Sequence, residues 1–185
     1  MKAAIGPSWE KSWRSGCEPV ADIASGRYGG RVESVAPTTF EGPTGSLSIT
    51  VERYEFPEIT NDEWDSNWLI VTGHAVLDGK SWSFRHPCLT TFELERLANW
   101  LDHVFLGKAE NAYCGFTEPN LDFERLSELE VRIAFSLEAL PPWCKRDGDF
   151  GEIGFNIPIN DRFAVAANSL RALLNRFPIR AQNSS

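Results

Sequence analysis

Between Leu129 and Ala139 every second side chain is apolar, apart from Ala134 on the other register. Leu129, Val131, Ile133, Phe135, Leu137 and Ala139 alternate with Glu130, Arg132, Ala134, Ser136 and Glu138. Successive side chains of a strand point to opposite faces, so the segment reads as a strand with one buried face and one wet face. A sheet that is dry on one side only is normally antiparallel. This constraint organises the rest of the chain.

Other segments repeat the period. Leu47, Ile49 and Val51 alternate with Ser48, Thr50 and Glu52. Trp68 to Leu77 reads as a strand and Lys80 to His86 as its return. Asp78-Gly79 between them is a two-residue hairpin signal, because both central residues of such a turn need positive φ. Residues 112–118 and 121–124 are short strand candidates separated by Pro119-Asn120. Ile153, Phe155, Ile157 and Ile159 form a last strand, which Pro158 places at an edge or near its end.

Two segments change to the helical period. Thr90 and Glu93 form a capping-box pattern ahead of Leu94, Leu97, Leu101, Val104 and Phe105, and Gly107 closes that helix. A second helix begins near Asn160-Asp161, carries Phe163, Ala166, Ala167, Leu170, Leu173, Leu174 and Phe177 as one stripe, and stops at Pro178. The order β-β-β-α-β-β-β-α predicts an α+β fold. It is a single domain, a mostly antiparallel β-sheet with two helices packed on one face.

The 185 residues carry a formal net charge of −8 and a pI near 4.9. Phosphate binding needs clustered Lys and Arg, so nucleic acid is not an expected partner, and neither is an anionic membrane surface. Residues 1–44 hold five basic and five acidic side chains, so the whole negative charge belongs to the rest of the chain. The first 46 residues are rich in Gly, Pro and Ser and show no sustained period. They read as a flexible extension, residues 47–180 as the folded domain and 181–185 as a disordered tail. No signal-peptide core and no spanning segment is visible, so a cytoplasmic location is expected. Cys17, Cys88, Cys114 and Cys144 lie far apart with no C-x-x-C pair, which suits free thiols rather than zinc ligands or disulfides.

Catalytic signatures are sparse. The sequence contains no G-x-G-x-x-G, P-loop, H-E-x-x-H or G-x-S-x-G pattern. His74, His86 and His103 show no local pairing, and Cys88 two residues after His86 is separated from it by Pro87, which spoils a thiol–imidazole pair. No catalytic residue, metal site or cofactor is expected.

The densest charge feature is the stretch Glu52, Glu55, Glu58, Asp62, Glu63 and Asp65 against Arg53, interleaved with Tyr54, Phe56, Trp64 and Trp68. Three readings are open. Carboxylates can hold Mg²⁺ or Ca²⁺, but the spacing is not that of a calcium loop. A solvated loop whose aromatics face the core is equally compatible. The third is an interaction surface, in which Glu55, Glu58, Asp62, Glu63, Trp64 and Asp65 bind a basic protein partner by combining steering charge with an aromatic anchor.

Tyr54-Glu55-Phe56-Pro57-Glu58-Ile59, Trp64-Asp65-Ser66-Asn67-Trp68-Leu69, Trp82-Ser83-Phe84, Pro87-Cys88-Leu89-Thr90, Phe116-Thr117-Glu118-Pro119-Asn120-Leu121, Ile133 to Glu138 and Pro141-Pro142-Trp143 together resemble the WapI family of bacterial immunity proteins, over roughly residues 47–180. The resemblance implies a small cytosolic protein that neutralises the toxic carboxy-terminal domain of a polymorphic contact-dependent toxin. Those domains are often basic and often nucleases. It carries over no catalytic residue, and Pro87, Pro141, Pro142 and Trp143 look like scaffold. Two other functions compete with it. One is a small metal-assisted hydrolase using the acidic loop with His74 or His86. The other is a regulatory module that docks through Glu130, Arg132, Ser136 and Glu138.

Overall fold

Alternation and turn chemistry together build the first sheet. The computed structural model describes residues 36–144 and 151–181. Strands β1 (Thr38–Glu41), β2 (Gly45–Tyr54), β3 (Trp68–Leu77) and β4 (Lys80–Thr90) form an antiparallel meander in that order. Asp78 and Gly79 take φ of 49° and 77°, the paired positive values that a tight hairpin between β3 and β4 demands. Leu47, Ile49, Val51, Val71, Ala75, Trp82 and Phe84 point inward and are buried, while Ser48, Thr50, His74, Ser83 and Arg85 face out. Gly73 faces Phe84 across the strands, and a Cβ there would lie 2.1 Å from the ring carbon Cζ. The glycine makes room for the phenylalanine.

Two bulges interrupt this sheet at one end. The register shifts between Val51 and Arg53 on β2, and between Leu69 and Ile70 against β4. Glu52 and Cys88 are the extra residues. Bulges bend a strand and raise its twist, and both lie at the end of the sheet where β2 gives way to the acidic loop and β4 to the first helix.

Helix α1 (Thr91–Phe105) follows. The expected capping box is present: Thr90 Oγ1 accepts from Glu93 N, and Glu93 Oε2 accepts from Thr90 N at 2.9 Å. A second antiparallel sheet comes next, with β5 (Tyr113–Cys114), β6 (Leu121–Arg125), β7 (Glu130–Phe135) and β8 (Ile153–Pro158) in chain order, then α2 (Arg162–Arg176). Four strands and a 15-residue helix therefore occur twice. β8 is an edge strand that ends on Pro158, as the missing donor requires.

Aromatic side chains join the halves into one core. Phe40 of β1 meets Phe123 of β6 with centroids 5.2 Å apart, and Trp82 meets Phe135 at 5.0 Å. Trp82 Nε1 also donates to the Ala139 carbonyl at 2.9 Å, so the buried indole keeps its hydrogen bond. α1 and α2 pack on each other, with Arg171 reaching Asp102 at 2.6 Å.

The α+β class and antiparallel pairing agree with expectation, but the strands divide into two sheets and number eight among the described residues. β1 adds a strand ahead of Leu47, so paired structure begins at Thr38, inside the segment read as an extension. Residues 1–35, like 182–185 of the expected tail, lie outside the described residues. The alternation over 129–139 is a strand only to Phe135. Leu137 takes a left-handed φ of 49°, residues 137–139 form one 3-10 turn, and Leu129, 77% exposed, sits in the turn before β7. The candidate over 112–118 shortens to the two residues of β5.

Candidate functional site: the loop between the second and third strands

Residues 55–64 leave the bulged end of β2 and return to β3 through a 3-10 turn, Asp65–Asn67. A network of hydrogen bonds gives the loop its shape. Glu55 N donates to Trp68 O at 2.8 Å, closing its base, and Ile59 N donates to Phe56 O at 3.2 Å. Asp62 Oδ1 accepts from Trp64 N at 2.8 Å and Asp65 N at 2.6 Å, which caps the 3-10 turn. Ser66 Oγ donates to the Asp62 carbonyl.

Asn67 is fully buried and uses its whole amide. Nδ2 donates to Glu63 O at 2.8 Å and Arg180 O at 3.0 Å, while Oδ1 accepts from Thr91 Oγ1 at 2.6 Å and Arg180 N at 2.9 Å. One side chain thus links the loop, the start of α1 and the segment after α2. The guanidinium of Arg180 lies 3.4 Å over the Tyr54 ring, and its Nη1 donates to Pro57 O at 3.2 Å and Ile59 O at 3.1 Å. Arg53 Nη1 donates to the carbonyls of Tyr54 and Glu55 at 2.9 and 3.0 Å.

The two neighbouring arginines therefore spend these contacts on backbone carbonyls. Glu58, Asp62, Glu63 and Asp65 are exposed, and Glu55 is half-buried. Among the described residues, no ion pair includes any of the five. Burial pushes the Glu55 carboxyl above the ordinary range; the His86 and Arg53 charges oppose this, and Asp65 adds to it. Glu52 behaves differently. Arg85 binds it bidentately at 2.9–3.1 Å and Thr72 donates to it, which holds its pKa below the usual range. It belongs to the sheet surface rather than to the loop.

Of the aromatics interleaved with these acids, Trp64 alone is fully open, at 55% exposure, and its ring meets Phe92 edge-on at 5.5 Å. Tyr54 is buried against Phe177 and donates from its hydroxyl to Pro178 O at 2.5 Å. Phe56 and Trp68 are half-buried. Three of the four aromatics thus support the loop. Phe92 also lines a groove of about 480 Å³ along α1, walled by Glu95, Asn99, Trp100, His103 and Asn111. This groove had no sequence signal, because it forms between α1 and the link to β5.

The other candidate chemistry disperses. His74 lies on the outer face of the first sheet, 3.1 Å from Ser83 Oγ, whereas His86 lies on the inner face, and His103 is exposed on α1. Among the described residues, no three His, Cys, Asp or Glu side chains are grouped to hold a metal ion. Burial pushes the Cys88 thiol up to about 12 and the Cys114 thiol to about 11, which keeps both protonated. Glu130, Arg132, Ser136 and Glu138 do not share one strand face, since β7 ends at Phe135. Arg132 pairs with Glu152 at 2.6 Å, and Glu138 accepts from Asn120 Nδ2 at 2.9 Å. Cys17 lies outside the described residues.

The fold and the loop define an α+β protein that carries a hydrogen-bonded, exposed acidic loop with one exposed aromatic side chain, Trp64. Residues 39–178, well over half of the chain, match the model of the immunity protein WapI-like family, and the chain belongs to that family. The match begins in β1 and ends at Pro178, just short of Arg180. No curated protein and no solved structure matches the chain. Among the described residues, no helix is long and apolar enough to cross a membrane.

Proposed function

We propose that this protein neutralises the toxic carboxy-terminal domain of a cognate polymorphic toxin by stoichiometric, non-covalent binding in the cytoplasm. Glu55, Glu58, Asp62, Glu63, Trp64 and Asp65 form the contact surface, and the partner is a basic domain, most simply a nuclease. One observation carries this reading. Five loop carboxylates lie beside two guanidiniums that are directed at carbonyls, so the loop has a net charge of about −3, and among the described residues none of its acids is in an ion pair. A domain that binds a phosphate backbone presents the complementary charge. Trp64 supplies the apolar anchor that such an interface needs at its centre. Inhibition then requires occlusion alone, with no chemistry by the immunity protein.

Co-expression with candidate toxin domains identifies the partner by rescue of growth. The triple variant E58K/E63K/D65K then reverses the loop from −3 to +3 and leaves Asp62, whose carboxylate shapes the turn, in place. Association with the partner is expected to slow by about 10–100-fold at low salt. The difference should shrink towards 1 M salt, where the Debye length falls to about 3 Å. Unchanged affinity and unchanged salt dependence would remove the loop from the interface.

A further inference from the structure

We propose that Arg180 is the positioning residue of the acidic loop, and that Pro178–Ala181 is a strap holding the loop in its binding-ready shape. A loop of like charges repels itself and opens unless something crosses it. Arg180 does this with one planar group: a face on the Tyr54 ring and N–H donors on Pro57 O and Ile59 O. Its backbone is fixed in turn, since Asn67 bonds both its N–H and its carbonyl, and Tyr54 Oη bonds the carbonyl of Pro178. Head, backbone and neighbouring chain are all held.

The chemistry selects arginine. A lysine ammonium is a point charge without a flat face or a fork of donors, so it cannot stack on Tyr54 and span two carbonyls together. Because the donors end on carbonyls, the strap adds order without consuming a carboxylate. Arg180 lies two residues past the span that the family model matches, while Tyr54, Pro57, Ile59 and Asn67, its partners, lie within it. Its role in binding rests on the function proposed above, whereas its role in ordering the loop does not.

Amide hydrogen exchange on the full chain separates the two. In R180M, which keeps most of the stem and loses the head, the amides of Ile59, Trp64 and Asp65 are expected to exchange about tenfold faster or more. Those of Val131 and Ile133 in β7 should not change. R180K should resemble R180M. Unchanged loop exchange in R180M, or full protection in R180K, would overturn the strap, the second by showing that bare positive charge suffices. Binding to the toxin domain identified by rescue is the other arm. Removing a cation makes the loop more acidic, so R180M should not slow association with a basic partner. Losing preorganisation should speed dissociation by about tenfold. Faster loop exchange with an unchanged dissociation rate would uphold the strap and overturn the loop as the toxin contact.

Discussion

Glu93 offers a direct test of how the first helix is tied to the second sheet. It is only 2% exposed, and its two oxygens serve different elements. Oε2 accepts from Thr90 N at 2.9 Å, completing the capping box. Oε1 accepts from Thr117 N at 2.7 Å and Thr117 Oγ1 at 2.8 Å, with Arg96 Nη2 at 3.4 Å. In E93A the Thr90 N–H is left buried without an acceptor, which costs about 1–3 kcal/mol. Thr117 lies at the surface, so water replaces most of what it loses, and its share is nearer 1 kcal/mol. Arg96 keeps the Gly115 carbonyl at 2.5 Å and adds little. The total is about 3 kcal/mol, a large part of the roughly 5–15 kcal/mol that a domain has. Urea denaturation should show this as a lower midpoint at an unchanged slope. E93Q keeps the volume and one acceptor, so it should lose about half as much. A loss below about 1 kcal/mol in E93A would refute the reasoning, because the Thr90 donor could then not be the orphan that the geometry makes it.

Asp122 gives a pH-dependent expectation. Burial raises its carboxyl pKa, the Glu152 and Glu124 charges add to this, and Arg132 opposes it. The folded state therefore binds that proton more tightly than the unfolded state, so the ionised group lowers stability above its folded pKa and the penalty fades as pH falls through it. D122N should raise the melting temperature at pH 7, and the gain should disappear by about pH 3, below the ordinary aspartate value; an equal gain at both pH values would rule out ionisation as the cause. For the thiols, iodoacetamide at pH 8 should label half-exposed Cys144 well before Cys88 and Cys114, whose pKa values near 12 and 11 keep them protonated. Peptide mapping reads the order, and early labelling of Cys88 would contradict its burial.

The elements that were legible in the sequence are those whose signal is local. The capping box at Thr90 and Glu93, the Asp78-Gly79 hairpin and the stripe of α2 each depend on residues a few positions apart, and all are present. β1 was missed because Thr38–Glu41 is too short to show a period, and its pairing with β2 is a tertiary event. The strand over 129–139 ran too far because alternation cannot report the left-handed turn at Leu137. At the site, composition revealed the concentration of acids but not which aromatics were open. Tyr54 looks like an anchor in sequence, yet it is buried under Arg180, a residue more than a hundred positions away. Asn67 stood within a recognised motif, but its role depends on Thr91 and Arg180, which no spacing rule connects.

The manner in which the loop is fixed bears on what it is for. Some acidic side chains elsewhere are engaged by basic ones, among them Glu41 by Arg162, Glu52 by Arg85, Asp102 by Arg171 and Glu152 by Arg132. Such pairing would offset the cost of gathering like charges in the loop, and none of the five ion pairs among the described residues includes a loop acid. Instead, the polar bonds that shape it end on backbone atoms. Arg53 and Arg180 reach carbonyls, Asp62 accepts from main-chain N–H groups, Ser66 bonds the Asp62 carbonyl, and Asn67 bonds that of Glu63. None of these bonds uses the side chains of Glu58, Glu63, Trp64 or Asp65. These bonds are therefore independent of the side chains of Glu58, Glu63 and Asp65, which can change without dismantling them, whereas Asp62 is both displayed and part of the support. If the loop is the contact surface proposed above, this separation lets its contact residues be tuned to a partner while the fold is kept.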